Sequence, residues 1–210
     1  ATDHLAVEDA TSLGIVGAGV QSYTQLEAIS AVRPIEEVVV SDVISQHVRR
    51  FEETFGEEFD VREGSISEAG HCDVCSTVTP VEEPIVDLED VGEHTHINAI
   101  GADAAGKHEL ADELLLEATI VIDDHEQCTH SGEINVPYSE GTLTDADIDA
   151  EIGELAAGGH DGRTDETGIT VFDSTGLAIQ DVAAAHVVYE RAVEAEAGTR
   201  LDMIGLERDE

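Results

Sequence analysis

One stretch constrains the fold of this chain more than any other: Leu13-Gly14-Ile15-Val16-Gly17-Ala18-Gly19-Val20-Gln21-Ser22. A short apolar run stops at glycines spaced Gly-x-Gly. A segment with Val20, Tyr23, Leu26, Ala28, Ile29 and Val32 at helical spacing follows. This reads as strand, tight turn and helix, a turn whose chemistry suits a dinucleotide pyrophosphate. Gly17 permits the sharp turn, Gly19 lets the backbone approach the phosphates, and the helix from about Val20 aims its free N–H groups and positive dipole end at them. The third position of the fingerprint is Ser22, small enough for close helix–strand packing. A second apolar run, Val38-Val39-Val40, ends in Ser41-Asp42. An acidic side chain at a strand's end, roughly 20 positions past the last glycine, is what a ribose 2′-hydroxyl needs. The competing reading is an ordinary glycine turn in a parallel sheet.

The same rhythm continues. Strands are expected at residues 12–16, 37–41, 59–62, 73–77, 96–100, 119–123 and 169–172. Helices are expected at 1–10, from 20 to about Pro34, and at 44–55, 65–69, 109–118, 145–157 and 177–196, with a short one after Val86. Thr144 is the expected N-cap of the helix over 145–157. Alternation of this kind predicts an α/β fold: a doubly wound, Rossmann-like parallel sheet with helices on both faces. We expect one such domain over residues 1–197, with 1–10 as the end of an incoming helix and 198–210 as a C-terminal tail.

Charge limits the partners. The 210 residues hold 48 Asp and Glu against 9 Lys and Arg, a net charge of -39. The acids are spread along the chain and strand and helix patterns persist throughout, so this is not a disordered acidic tail. Such a surface repels itself in dilute buffer, whereas at molar salt the Debye length is roughly 3 Å. The composition resembles that of a halophile's cytoplasmic protein. With no basic stripe, nucleic acid is not an expected partner. No run of 18 uncharged apolar residues exists, so no membrane span is expected.

Cys72, Cys75 and Cys128 suit a reducing compartment. Strand alternation over 73–77 would send Cys72 and Cys75 to opposite faces, which makes Cys75 a small buried apolar residue rather than a ligand. His94 and His96 abut an apolar strand, and His125-x-x-Cys128-x-His130 stands alone. No metal is expected, and a Cys/His metal protein is kept as a rival that predicts stoichiometric zinc.

Two further stretches sit where open parallel sheets bind ligands, at strand C-termini. Ser76-Thr77-Val78-Thr79-Pro80 offers hydroxyls, although threonine is also simply a good strand former. Gly101-Ala102-Asp103-Ala104-Ala105-Gly106-Lys107 carries a carboxylate and the chain's single lysine. In a protein otherwise purged of lysine, a retained one stands out, and the plain alternative is a surface accident.

Four stretches together, 13–22, Ser76-Thr-Val-Thr79, His96-Ile-Asn-Ala-Ile-Gly-Ala-Asp-Ala-Ala-Gly-Lys-His-Glu-Leu110 and Val171-Phe-Asp-Ser-Thr-Gly-Leu-Ala-Ile-Gln-Asp181, resemble the ornithine cyclodeaminase/mu-crystallin family, which includes archaeal alanine dehydrogenases and ketimine reductases. The resemblance implies NAD as cofactor. Gly17, Gly19, Val20 and Gln21 would meet the pyrophosphate, and Asp42 would hold the adenosine ribose and repel the 2′-phosphate of NADP. Thr79, with Thr77, would line the cofactor cleft, and Ile97, Asn98, Ala99 and Ile100 would run beside the nicotinamide. Asp103 matches the catalytic acid/base, Lys107 a cofactor-contacting lysine, and Ser174 and Thr175 would close over nicotinamide and substrate, with Thr175 on the substrate side. Ala105 stands where a proline is often found.

Family members carry about a hundred residues before the glycine turn, forming a substrate and dimerisation domain. The expectation is therefore the cofactor half of a homodimeric amino-acid oxidoreductase or lyase. Hydride would pass from the α-carbon of an L-amino acid to NAD, in an alanine dehydrogenase or an ornithine cyclodeaminase. The fragment alone is expected to be inactive, and the alternative is a non-catalytic NAD-binding or ligand-binding module.

Overall fold

The structure, a computed structural model, describes residues 1–199; most of the tail expected at 198–210 lies outside the described residues. Contacts divide the chain into two compact units, Ala1–Thr175 and a second that begins at Gly176.

The first unit is built on an eight-stranded sheet with the order β3-β2-β1-β4-β5-β8-β6-β7. Its strands are β1 (Ser12–Val16), β2 (Glu37–Ser41), β3 (Asp60–Glu63), β4 (Val74–Thr77), β5 (His96–Ala99), β6 (Thr119–Ile122), β7 (Ala150–Glu151) and β8 (Thr170–Asp173). Every pairing is parallel. The helices are α1 (Thr2–Leu5), α2 (Val20–Ser30), α3 (Ser45–Phe55), α4 (Ile66–Gly70), α5 (Asp112–Glu117), α6 (His125–Ser131), α7 (Asn135–Glu140) and α8 (Ile152–Ala156). The second unit contributes the 17-residue helix α9 (Ala178–Glu194).

Successive side chains of a strand point to opposite faces, and a parallel sheet needs both faces covered. Leu13, Ile15, Val38, Val40 and Val74 pack with Leu26 and Ile29 of α2 and Val48, Phe51 and Phe55 of α3. Val16, Val39, Cys75, Ile97 and Val171 go to the other core, with Leu114 and Leu115 of α5 and Ile134. Gly14 allows the closest contact, because a Cβ there would lie 2.0 Å from the Ala69 carbonyl oxygen of α4. Ser65 and Glu68 start α4 as a reciprocal capping box.

Several expectations change. Cys72 lies ahead of β4, so strand alternation does not apply to it, and both Cys72 and Cys75 enter the same core cluster. Cys75 is a buried apolar residue, as expected. The helix expected at 145–157 is a 3₁₀ turn at Asp145–Asp147, the short strand β7 and then α8; Thr144 does cap, but it caps the 3₁₀ turn. The helix expected from 109 starts at Asp112, because the Glu109 carbonyl accepts from the N–H groups of Ile85 and Val86 and Leu110 pairs with Val86 in a parallel bridge, which holds this stretch extended. Of the apolar positions counted on α2, Leu26 and Ile29 are buried, while Val20, Ala28 and Val32 are exposed. Among the described residues no helix is long and apolar enough to cross a membrane.

Candidate functional site

Ser41, Val16, Thr77, Ala99, Asp173 and Ile122 stand in one register row across six strands. The residues that follow them, Asp42, Gly17, Val78, Ile100, Ser174 and Asp123, therefore leave the sheet at one edge. Strand order reverses at β1: β2 and β3 lie to one side, β4 onward to the other. The gap between the ends of β1 and β4 is thus a topological switch point, where open α/β sheets bind ligands.

A cavity of about 440 Å³ occupies this position, lined by Gly17, Gly19, Asp42, Ile44, Thr79 and Pro80 among others. The two glycines do different jobs. Gly17 has φ +96°, and a Cβ there would come within 2.8 Å of Thr79 Cγ2 and 2.9 Å of the Val78 carbonyl oxygen. Its N–H donates to Ser41 O at 2.8 Å, closing the turn onto β2. Gly19 is the N-cap of α2 with an ordinary φ of -75°, and nothing lies within 4 Å of a Cβ built there. Gly19 leads into the first amides of α2, which have no intrahelical acceptor and so can meet an anionic group. Ser22 is fully buried and donates to Gly19 O at 2.6 Å.

Asp42 turns toward the glycine turn. Its Oδ2 accepts from Ala18 N–H at 2.8 Å and lies 3.2 Å from His47 Nδ1, and Oδ1 accepts from Ile44 N–H at 2.7 Å. Burial works against its ionisation, but the donors of Ile44, Ala18 and His47 prevail and hold the carboxyl below its ordinary range. A carboxylate oxygen has two lone pairs, so Oδ1 retains capacity for a hydroxyl donor.

The Gly101–Lys107 loop leaves β5 on the same edge. Lys107 Nζ donates to Asp103 Oδ1 at 2.7 Å. The Asp103 side chain is 71% exposed and that of Lys107 22% exposed. The lysine holds the Asp103 carboxyl below its ordinary range. Asn135 anchors the loop: its Oδ1 accepts from Gly106 N–H at 2.8 Å, and its Nδ2 donates to Lys107 O at 2.7 Å. Ser174 and Thr175 are tied to Asp123, whose Oδ2 accepts from Thr175 N–H at 2.8 Å and Ser174 Oγ at 3.2 Å.

Gly17, Gly19, Asp42 and Thr79 thus meet in one cleft, with Val20 and Gln21 exposed on the first turn of α2. Asp103 and Lys107 meet each other. Thr77, Ile97, Asn98 and Ala99 do not reach the open edge with their side chains, all of which are buried. Asn98 belongs to an interior network: its Oδ1 lies 3.2 Å from His96 Nε2 and its Nδ2 donates to Thr2 Oγ1 at 3.0 Å. Burial pushes His96 down to about 3, so it is neutral. Ile100, half-buried, is the member of that run that leads into the loop. Among the described residues no group of three or more His, Cys, Asp or Glu could hold a metal ion.

The family model for ornithine cyclodeaminase/mu-crystallin proteins matches residues 1–196. The chain belongs to the ornithine cyclodeaminase/mu-crystallin family. It is 47% identical over 204 residues to an alanine dehydrogenase of Archaeoglobus fulgidus, covering 96% of this chain and 63% of the relative. Among solved structures it is similar to an archaeal alanine dehydrogenase dimer with bound NAD (TM-score 0.93, 45% identity, 97% of this chain, 64% of that one). It is also similar to the Thermococcus litoralis Δ1-pyrroline-2-carboxylate reductase in complex with NADH and L-proline (TM-score 0.91, 34% identity, 96% of this chain, 64% of that one). The chain spans less than two thirds of the length of these relatives.

In this member of the family, sequence reasoning passed over the acids beneath the cleft. Glu109, Glu133 and Asp173 are fully buried and Asp123 nearly so. Glu109 bonds the Thr79 and Gly101 segments. Glu133 Oε1 accepts from the N–H groups of Glu109 and Leu110, and Asp173 accepts from those of Glu133 and Ile134. Burial pushes the Glu109 carboxyl up, that of Glu133 well up, and that of Asp173 to about 7. Asp173 and Glu109 lie inside quoted family blocks, yet in a chain with 48 acids nothing in the composition singles out a carboxylate as buried.

Proposed function

We propose that this chain is the NAD-binding part of an amino-acid oxidoreductase, of alanine dehydrogenase or cyclodeaminase type. The observation that carries the proposal is the β1/β4 cleft: a positive-φ Gly17, open space at Gly19 against the start of α2, and an ionised Asp42 across the turn. The shape fits a dinucleotide. Gly19, Val20 and Gln21 present backbone amides to the diphosphate, the free capacity of Asp42 Oδ1 receives a ribose hydroxyl, and its charge disfavours a 2′-phosphate. The NAD carried by the similar alanine dehydrogenase structure supports the same reading.

When bound, NAD would supply acceptance of a hydride from the α-carbon of an L-amino acid. The rest of the chemistry belongs to side chains. Asp103 takes or returns a proton at Oδ1, where Lys107 now donates, either activating water on the imine or serving an attacking side-chain amine. An Asp acts as this shuttle once a closed site lifts its pKa toward working pH, so substrate must cover the exposed carboxylate and loosen its lysine partner. Ser174 and Thr175, set by Asp123, frame the same edge. The higher identity to alanine dehydrogenase than to the pyrroline-carboxylate reductase favours the dehydrogenase, with L-alanine as substrate.

Asp103→Asn in the full-length protein should lower turnover by about 100-fold or more with NAD binding retained. Unchanged turnover would remove Asp103 from the mechanism. The exposure of Asp103 supports a second reading, a module that binds NAD without catalysis; titration with NAD that gives binding, alongside no turnover of L-alanine or L-ornithine, selects it. A homodimer in the intact protein and a salt-rich cytoplasm as its setting belong to the same proposal, the first supported by the dimeric relative and the second by the net charge of -39.

A further inference from the structure

Glu109 is 0% exposed, and its two oxygens serve two different strands. Oε1 accepts from Thr79 N–H at 2.7 Å and Thr79 Oγ1–H at 2.6 Å, just past the end of β4. Oε2 accepts from Gly101 N–H at 3.0 Å, just past the end of β5. Thr79 lines the cofactor cleft, and Gly101 opens the loop that carries Asp103. Glu109 itself closes that loop, two residues after Lys107, so the Glu109–Gly101 bond staples the loop's two ends.

The staple is built in from both sides. Gly101 has no room for a side chain: a Cβ would sit 2.4 Å from Thr79 O and 2.5 Å from Glu109 Oε2. The backbone under Glu109 is fixed in turn, since Glu133 Oε1 holds the N–H groups of Glu109 and Leu110 at 2.7 and 2.6 Å. Asp173, at the end of β8, holds the N–H of Glu133 at 2.9 Å. A buried carboxylate is costly unless its lone pairs are filled, and here the filling donors come from the two segments that face the proposed cofactor and substrate.

We infer that Glu109 is a positioning residue: its carboxylate ties the Thr79 wall of the cofactor cleft to the loop bearing Asp103 and sets the distance between them. The inference rests on the roles proposed above for Thr79 and Asp103. Glu109 touches neither cofactor nor substrate in this account and acts only through those two segments.

Glu109→Gln separates the two arms. One amide oxygen can keep the Thr79 donors, while the NH₂ then meets the Gly101 N–H, donor against donor. In the full-length protein, NAD affinity should stay within about threefold of wild type, while kcat for L-alanine falls about tenfold or more, because loop misplacement acts on the reacting geometry. Amide exchange at Gly101 should quicken about tenfold or more and that at Thr79 should change little. Glu109→Asp, which keeps charge but loses reach, should lose turnover to a similar extent, which separates positioning from charge. A Glu109→Gln protein with wild-type kcat and wild-type exchange at Gly101 would overturn the inference. Should that variant fail to fold, the wild-type chain still decides: slow exchange at both Thr79 and Gly101 is expected, and open-loop rates at either would overturn it. If wild type neither binds NAD nor turns over, the functional proposal fails, and the exchange at Gly101 in the Gln variant then stands alone as the test of the tie.

Discussion

Replacing each glycine of the turn by alanine separates what the fold needs from what the ligand needs. Gly17 holds φ +96°, a region that costs an L-residue about 1–3 kcal/mol. Its new Cβ would also press on Val78 O at 2.9 Å, a backbone atom that moves only with β4, so Gly17→Ala should destabilise the chain by at least about 2 kcal/mol. Gly19 is at φ -75° with open space around the added methyl. The remaining cost is that of alanine at an N-cap, offset by a stiffer unfolded chain, so Gly19→Ala should stay within about 1 kcal/mol of wild type. Its methyl nevertheless fills the approach to the α2 amides. Loss of one close diphosphate contact should weaken NAD by about 10- to 100-fold, or about 1.4–2.7 kcal/mol. Urea unfolding and calorimetric titration, both in molar KCl, read the two quantities. A Gly19→Ala protein that is stable and binds NAD as tightly as wild type would refute the placement of the diphosphate. Equal stability for the two variants would refute the division of labour between the glycines.

Other outcomes follow from the same geometry. Gly101→Ala should be among the costlier single-methyl additions, about 2 kcal/mol or more, because its Cβ meets Thr79 O at 2.4 Å; chemical unfolding measures it. Asp173 has its folded pKa raised to about 7, so the stability it contributes is fully present below the unfolded value near 4 and is lost as pH rises to about 7. The span is worth up to about 4 kcal/mol, so the cost of Asp173→Asn should shrink from pH 4 to pH 8; a cost that grows with pH would contradict this. The net charge of -39 predicts a melting temperature that rises between about 0.1 and 3 M KCl, and a flat profile would count against salt adaptation.

The first half of the sheet was legible because each local signal agreed with the next. An apolar run, a glycine or proline stop and a helical stripe recur from Leu13 to Thr77, and the observed strands fall within a residue or so of expectation. Past Asp124 that agreement ends. α6 buries only Cys128 of its seven residues, so it carries no stripe, and its start is set by Asp124 capping Gln127 N–H. β7 has two residues, paired to Val121 and Ile122, too short for any period to show. The glycine turn, Asp42, Thr79 and the Asp103–Lys107 pair were readable because motifs place them at strand ends. Glu109, Glu133 and Asn135 were not, since their role lies in backbone amides distant in sequence. Asn98 sits in a motif strand covered on both faces, so its side chain joins an interior network with His96 and Thr2, a partnership that its place in the motif does not reveal.

The central claim is that the β1/β4 cleft holds NAD by its diphosphate and by Asp42. Calorimetric titration of the chain with NAD and then NADP in about 3 M KCl tests it most directly, at a salt where the acidic surface is screened. One NAD per chain is expected, with an NADP affinity lower by about tenfold or more, from the charge of Asp42 against a 2′-phosphate. Absence of NAD binding, or equal affinity for the two, would contradict it.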